Sequence, residues 1–175
     1  MGKRSAFERN PRDFYPTPYE AVIPLIPHLD QMKMFAEPCA GDGTLSRHLS
    51  RHHLSPYWQS DIGPQHKDIH KIDALALTVP MQQADCVITN PPWDRKILHP
   101  MIEHFTKQNN FVWLLLDADW AYTKQSAKYM KQCAKIVAVG RVKWIPDSKM
   151  TGKDNCAWYC FKPFPCQTVF VGREE

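Results

Sequence analysis

Four consecutive residues, Asn90-Pro91-Pro92-Trp93, carry the strongest chemical signal in this 175-residue chain. They follow the apolar run Asp85–Thr89 (D-C-V-I-T), which reads as a buried strand. Two successive prolines fix φ and remove two backbone donors, so the backbone is stiff and presents carbonyls. The Asn90 amide supplies one acceptor oxygen and the Pro91 carbonyl another. Two acceptors converging on an –NH2 group hold both of its protons and turn the nitrogen lone pair towards an electrophile. Trp93 adds a flat face on which a planar base can stack, worth about 1–3 kcal/mol per base. A proline-rich turn around a core tryptophan is the bland alternative, and it leaves an asparagine at the strand end unexplained.

A second cluster lies upstream. Glu37-Pro38-Cys39-Ala40-Gly41-Asp42-Gly43 follows the short apolar strand Met34–Glu37. Ligands of α/β sheets bind at the carboxyl ends of strands, and glycine there lets backbone approach a ligand closely. The turn has neither the G-x-G-x-x-G spacing nor the Lys-Ser/Thr of a P-loop. Its acidic residues, Glu37 and Asp42, repel phosphate and suit an ammonium or sulfonium group. Asp61 ends the next expected strand, Tyr57–Asp61, where a carboxylate can accept from two ribose hydroxyls; a helix cap or a solvated surface aspartate is the alternative. Asp73-Ala74 is a weaker signal, a carboxylate placed to accept from an adenine amino group.

The elements that must hold these residues alternate. Asp13–Pro18 (D-F-Y-P-T-P) reads as extended, because each proline disfavours helix in the residue before it. Thr17 can cap a helix over Ala21–Leu29 that Pro24 and Pro27 shorten or kink. Thr44–Arg51 and Lys96–Gln108 have helical periodicity, the latter with Ile97, Met101, Ile102 and Phe105 on one face. Phe111–Leu116 is a continuous apolar strand, as expected when helices cover both sheet faces. A helix is expected over Trp120–Cys133. Lys135–Trp144 and Ala157–Phe161 read as strands around the polar loop Pro146–Asn155, with no helix between them, which predicts an antiparallel hairpin. Gln167–Val171 reads as an extra edge strand.

Composition sets the class. Apolar residues make up 43% and charged residues 23% of the chain, ordinary for a globular fold. The length suits one domain, expected over residues 13–175 behind a flexible polar segment, residues 1–12. Net charge is +4, compatible with a polyanionic substrate without demanding one. The six cysteines form no C-x-x-C pair and no zinc set, so no metal is expected. They read as reduced thiols of a cytoplasmic protein. No apolar run approaches the length of a membrane span.

On these motifs the chain resembles the class I, Rossmann-like S-adenosylmethionine methyltransferases that methylate amino groups, whose catalytic tetrapeptide is D/N/S-P-P-F/Y/W. Among them it is most similar to small phage-type DNA adenine N6-methyltransferases. It shares a D-x-Y-x-T-P-like start at Asp13–Pro18, the E/D-P-x-x-G-x-G turn at Glu37–Gly43, R-V-K-W-I at Arg141–Ile145 and N-C-A-W-Y-C-F at Asn155–Phe161. The resemblance spans about residues 13 to 161.

It implies an α/β fold: a mostly parallel seven-stranded sheet with an antiparallel C-terminal hairpin and helices on both faces. It implies S-adenosylmethionine as cofactor and DNA as substrate, with RNA open as an alternative. Tyr15, Thr17 and Pro18 would close over the methionine tail. Glu37, Pro38, Ala40, Gly41 and Gly43 would line the methionine and nucleoside. Asp61 would hold the ribose, Ile62 would pack on the adenine, and Asp73 with Ala74 would meet its amino group. Asn90, at the edge of the cofactor, would with Pro91, Pro92 and Trp93 grip the target base. Lys149 and Lys153 could contact phosphates, as could Lys3, Arg4, Arg9 and Arg12.

Many DNA methyltransferases carry a large target-recognition region; about 14 residues follow Phe161 and no insertion is long enough for one, so relaxed specificity, or specificity supplied by short loops or a partner, is expected. Pro38-Cys39 superficially matches the Pro-Cys of cytosine-C5 methyltransferases. That cysteine lies in the cofactor turn, so it is rejected as a nucleophile. A monomer or weak dimer in the cytoplasm, the host's if phage-encoded, is expected. An RNA or protein-glutamine methyltransferase is the nearest rival, and a catalytically silent cofactor-fold module the more distant one.

Overall fold

In the computed structural model, residues 15–145 and 152–173 are described. The expected flexible segment 1–12, its basic residues, Lys149 and most of the loop before Asn155 lie outside the described residues.

The strands are β1 (Met34–Glu37), β2 (Ser55–Asp61), β3 (His70–Lys71), β4 (Cys86–Thr89), β5 (Val112–Asp117), β6 (Cys133–Gly140), β7 (Cys156–Phe161) and β8 (Val169–Val171). They form one sheet in the order β3-β2-β1-β4-β5-β7-β6-β8. β1 to β5 pair in parallel. β7 runs antiparallel to both β5 and β6, and β8 returns parallel to β6. The sheet thus has eight strands rather than seven. The additional strand is β3, two residues too short to leave an alternating pattern.

The apolar runs are double-faced. In β5, Val112, Leu114 and Leu116 join one core cluster, while Trp113 and Leu115 join the other. In β7, Ala157, Tyr159 and Phe161 face the first, and Cys156, Trp158 and Cys160 the second. Successive side chains of a strand point to opposite faces, so a strand covered on both sides reads as an unbroken apolar run.

The first face is covered by α3 (Val79–Gln83) and α4 (Arg95–Gln108), with Leu98, Met101, Ile102 and Phe105 packed inwards. The second is covered by α1 (Tyr19–Val22), the 3-10 segment Ile23–His28 and α2 (Thr44–Ser50), through Ala21, Val22, Leu25, Leu45 and Leu49. The prolines shorten the first helix as expected. Thr17 does not cap it: the helix starts at Tyr19, so the N-cap is Pro18, whose side chain has no acceptor to offer.

Two expectations are corrected. The helix over Trp120–Cys133 is split into a 3-10 turn, Ala118–Tyr122, and α5 (Ala127–Met130). Thr123 between them is extended, with ψ 148°. The Ser126 hydroxyl donates back to the carbonyls of Ala121 and Thr123, a local bond that competes with helix. β6 ends at Gly140 instead of Trp144. Gly140 has φ +90°, a backbone conformation that other residues rarely adopt, so the strand stops at a glycine.

Candidate active site

β1 and β4 are neighbours, yet the chain leaves them in opposite directions: β1 feeds α2 on one face, β4 feeds α4 on the other. This is a topological switch point, where α/β folds open a crevice at the strand ends. The Gly-rich turn and the Asn90–Trp93 tetrapeptide are the two connections that bound it.

The turn is built from backbone bonds. Ala40 N donates to the Ser60 carbonyl at 2.9 Å and Gly43 N to the Ala40 carbonyl at 2.7 Å. Gly41 and Gly43 have φ +56° and +78°, a conformation other residues adopt only with strain. Asp42 serves the structure: its carboxylate accepts from Thr44 N at 2.9 Å and Thr44 Oγ1 at 2.8 Å and lies 3.7 Å from Arg47.

Asp61 joins the two strand ends. Its Oδ2 accepts from Gly41 N at 2.9 Å and its Oδ1 from Gly63 N at 2.7 Å. A carboxylate has about four lone-pair sites, so each oxygen keeps capacity for a further donor. Ile62 beside it is 59% exposed, an apolar side chain left on the rim. Asp73 caps the turn Ala74–Ala76 by accepting from Leu75 N at 2.9 Å, while Ala74 is buried.

Glu37 is buried, with Ser46 Oγ of α2 donating to it. Burial raises its pKa from 4.5 to about 8, the Ser46 bond opposing and the Asp42 and Asp61 charges adding. Desolvation that the nearby bonds do not offset is why the carboxyl holds its proton at neutral pH. Cys39 is pushed well above its ordinary value, first by burial and then by Asp61. It therefore stays a thiol, which agrees with its rejection as a nucleophile.

Asn90 is half-buried at the end of β4, and its Nδ2 donates to Thr17 Oγ1 at 3.2 Å. The N–H side of the amide is thus engaged by the N-terminal segment, and Oδ1 is the group left to accept. Pro91 is buried. Trp93 Nε1 donates to the Leu115 carbonyl at 3.0 Å, so its indole is locked against the sheet. Its ring meets Trp144 edge-on at 5.8 Å. Sequence reasoning did not single out Trp144 as a site residue, although R-V-K-W-I pointed to its segment. Thr89 Oγ1, one residue before Asn90, is buried against the Cys39 thiol, whose pKa it lowers against the larger rise from burial.

The structure brings Thr17 to Asn90 and Asp61 to the Gly-rich turn. Tyr15 and Pro18 are half-buried on the segment that carries Thr17, and Pro38 and Ala40 are buried in the turn. Lys153 is exposed beyond Trp144.

No family model matches the chain, and no curated protein matches it. Solved structures do. A candidate RNA methyltransferase from Pyrococcus horikoshii superposes with TM-score 0.58 at 19% identity, over 91% of this chain and 92% of that one. The fold is that of the Rossmann-like methyltransferases. The E. cuniculi Mtq2–Trm112 complex, responsible for methylating the termination factor eRF1, gives TM-score 0.55 at 14% identity over 85% and 98%. The 23S rRNA methyltransferase ErmE gives 0.53 at 13% over 87% and 71%. The sequence resemblance implies S-adenosylmethionine as cofactor, and the groups present suit it. Asp61, Asp73 and the Asn90 oxygen are acceptors suited to hydroxyl and amino donors, and the turn holds no unpaired cation for a phosphate.

Proposed function

We propose that this protein is an S-adenosylmethionine-dependent methyltransferase acting on the exocyclic N6 amino group of adenine in DNA. The observation that carries the reading is the Asn90–Thr17 bond at the mouth of the β4–α4 turn. It engages an amide N–H and leaves the amide oxygen as the acceptor, beside two prolines at the end of β4, next to β1 whose end carries the Gly-rich turn.

Bound S-adenosylmethionine supplies an electrophilic methyl group, whose bond to sulfur breaks as the bond to nitrogen forms. The residues position the amine. Asn90 Oδ1 and the Pro91 carbonyl accept its two protons and aim its lone pair. Trp93, held by Leu115, provides the face for the base, and Trp144 borders it. Asp61 and Asp73 orient the nucleoside, while Glu37 lies under the turn. Holding two reactants in a near-attack geometry can lower the barrier by roughly 7–11 kcal/mol, so no strong base is needed before transfer. The proton leaves afterwards to water, while the Asn90 oxygen accepts a hydrogen bond from the amine. A duplex substrate must present its base flipped out.

The choice of DNA adenine rests on the sequence resemblance at Asp13–Pro18, Asn90–Trp93 and Arg141–Ile145. The same grip serves an RNA base or a glutamine side-chain amide, and the fold likeness to an rRNA methyltransferase and to Mtq2 favours that second reading. Incubation with methyl-labelled cofactor and unmethylated DNA, RNA and protein in parallel separates them. Label in N6-methyladenine, lost in Asn90→Ala, supports the first reading. Label in RNA or protein alone overturns it and keeps the chemistry.

A further inference from the structure

Beside the crevice, Tyr19 gathers His48 of α2 and Arg51 and His52 just after its end. The Arg51 guanidinium lies over its ring, 5.5 Å from the centroid. His52 stacks on the ring at 5.9 Å and 13°, with its Nε2 2.8 Å from the Tyr19 hydroxyl. His48 tilts against it at 5.2 Å. This aromatic hub forms one wall of an open cleft of about 390 Å³ lined also by Thr17, Thr44, Lys143 and Trp144. The cleft adjoins the methyl-transfer site through two shared residues. Thr17 is the partner of Asn90, and Trp144 is the neighbour of Trp93.

The charge of this face comes from few groups. Arg47 is paired with Asp42. Glu20, the carboxylate among the lining residues, accepts from the Lys143 backbone amide. His48 is lowered by burial and then by Arg51 and Arg47, so it is neutral at neutral pH. Lys143 on the cleft and Arg51 on the Tyr19 ring beside it therefore supply the positive surface, with Trp144 as the flat face between them. Separate cations flanking aromatic faces match a nucleic-acid strand, whose phosphates take point charges while its bases and sugars stack.

We infer that this face holds the DNA strand next to the target nucleotide, Arg51 and Lys143 each meeting a backbone phosphate and the Tyr19–Trp144 cleft taking the flanking sugar or base. The inference rests on the nucleic-acid reading above and adds where the strand runs. Each phosphate contact on duplex DNA adds about 0.9 to the steepness with which affinity falls against log salt.

The test is fluorescence anisotropy of a labelled DNA oligonucleotide against salt, for the wild-type protein and for Arg51→Glu with Lys143→Glu, alongside calorimetric binding of S-adenosylmethionine. The expected result is at least tenfold weaker DNA binding and a salt slope shallower by about 2, with cofactor affinity within twofold. Arg51→Gln with Lys143→Met, which adds no repulsion, should lower the slope equally. DNA binding by the wild type that neither pair changes overturns the surface and leaves the DNA reading standing. A wild type that binds no DNA overturns both.

Discussion

Asn90 Nδ2 donates to Thr17 Oγ1 at 3.2 Å, across 73 positions of sequence. The bond occupies one amide N–H and leaves Oδ1 to accept, and Thr17, buried at 4% exposure, anchors the side chain. Thr17→Val should lower the turnover rate about tenfold, while Thr17→Ser, which keeps the hydroxyl, retains most activity. Asn90→Ala removes the acceptor itself and should cost about 10²–10³ in rate, the range for losing one positioned polar group. Single-turnover methyl transfer measures both. Equal rates for Thr17→Val and wild type would remove the positioning role.

Glu37 makes stability pH-dependent. Its pKa is 4.5 in the ordinary case and about 8 when buried. Below 4.5 both states are protonated and the group favours neither. Between these values the folded chain holds a proton that the unfolded chain releases, so stability falls as pH rises and the loss is complete above about 8. Urea midpoints at pH 5.5 and 8.5 should drop for wild type and drop less for Glu37→Gln, which cannot ionise. Parallel pH profiles for the two proteins would show that Glu37 titrates normally.

Asp61 ties Gly41 and Gly63 together and is the expected ribose acceptor. Asp61→Ala should weaken S-adenosylmethionine binding at least tenfold in calorimetry. It should also leave two backbone amides without their acceptor, about 1–3 kcal/mol of stability for each that is not rehydrated. Asp61→Asn keeps one acceptor oxygen and should fall between. Unchanged cofactor affinity in Asp61→Ala would confine its role to the turn.

Trp93 and Trp144 can be separated by their anchoring. Trp93 is bonded to Leu115 and packs against both core clusters. Trp93→Ala should therefore lose both stability and substrate affinity. Trp144→Ala should raise the KM for the oligonucleotide, by about 1–3 kcal/mol if it stacks on a base, with a small change in melting temperature. A Trp144→Ala variant with wild-type KM would place it outside the substrate path.

Gly43 tests the turn alone. With φ +78° and a Cβ 3.4 Å from Arg47 and Gln59, alanine meets ordinary contacts but an unfavourable backbone. Gly43→Ala should cost about 1–2 kcal/mol, read as a lower urea midpoint.

Much of the positioning was legible in the chain. The apolar run Asp85–Thr89 ending at Asn90, and Met34–Glu37 ending at the glycines, set each motif at a strand's carboxyl end, because strand length and turn chemistry are local. Periodicity over Lys96–Gln108 placed α4 for the same reason. What depended on distant contacts was not legible. The antiparallel hairpin of β6 and β7 was legible from the missing helix, but that β7 inserts between β5 and β6 is decided by strand pairing, which leaves no local mark. The partners of Thr17, Asp61 and Glu37 belong to this class, as does the meeting of Trp93 with Trp144. A side chain's own sequence shows what it can bond; only the tertiary packing, by burying it beside a residue 20 or 73 positions away, decided what it does.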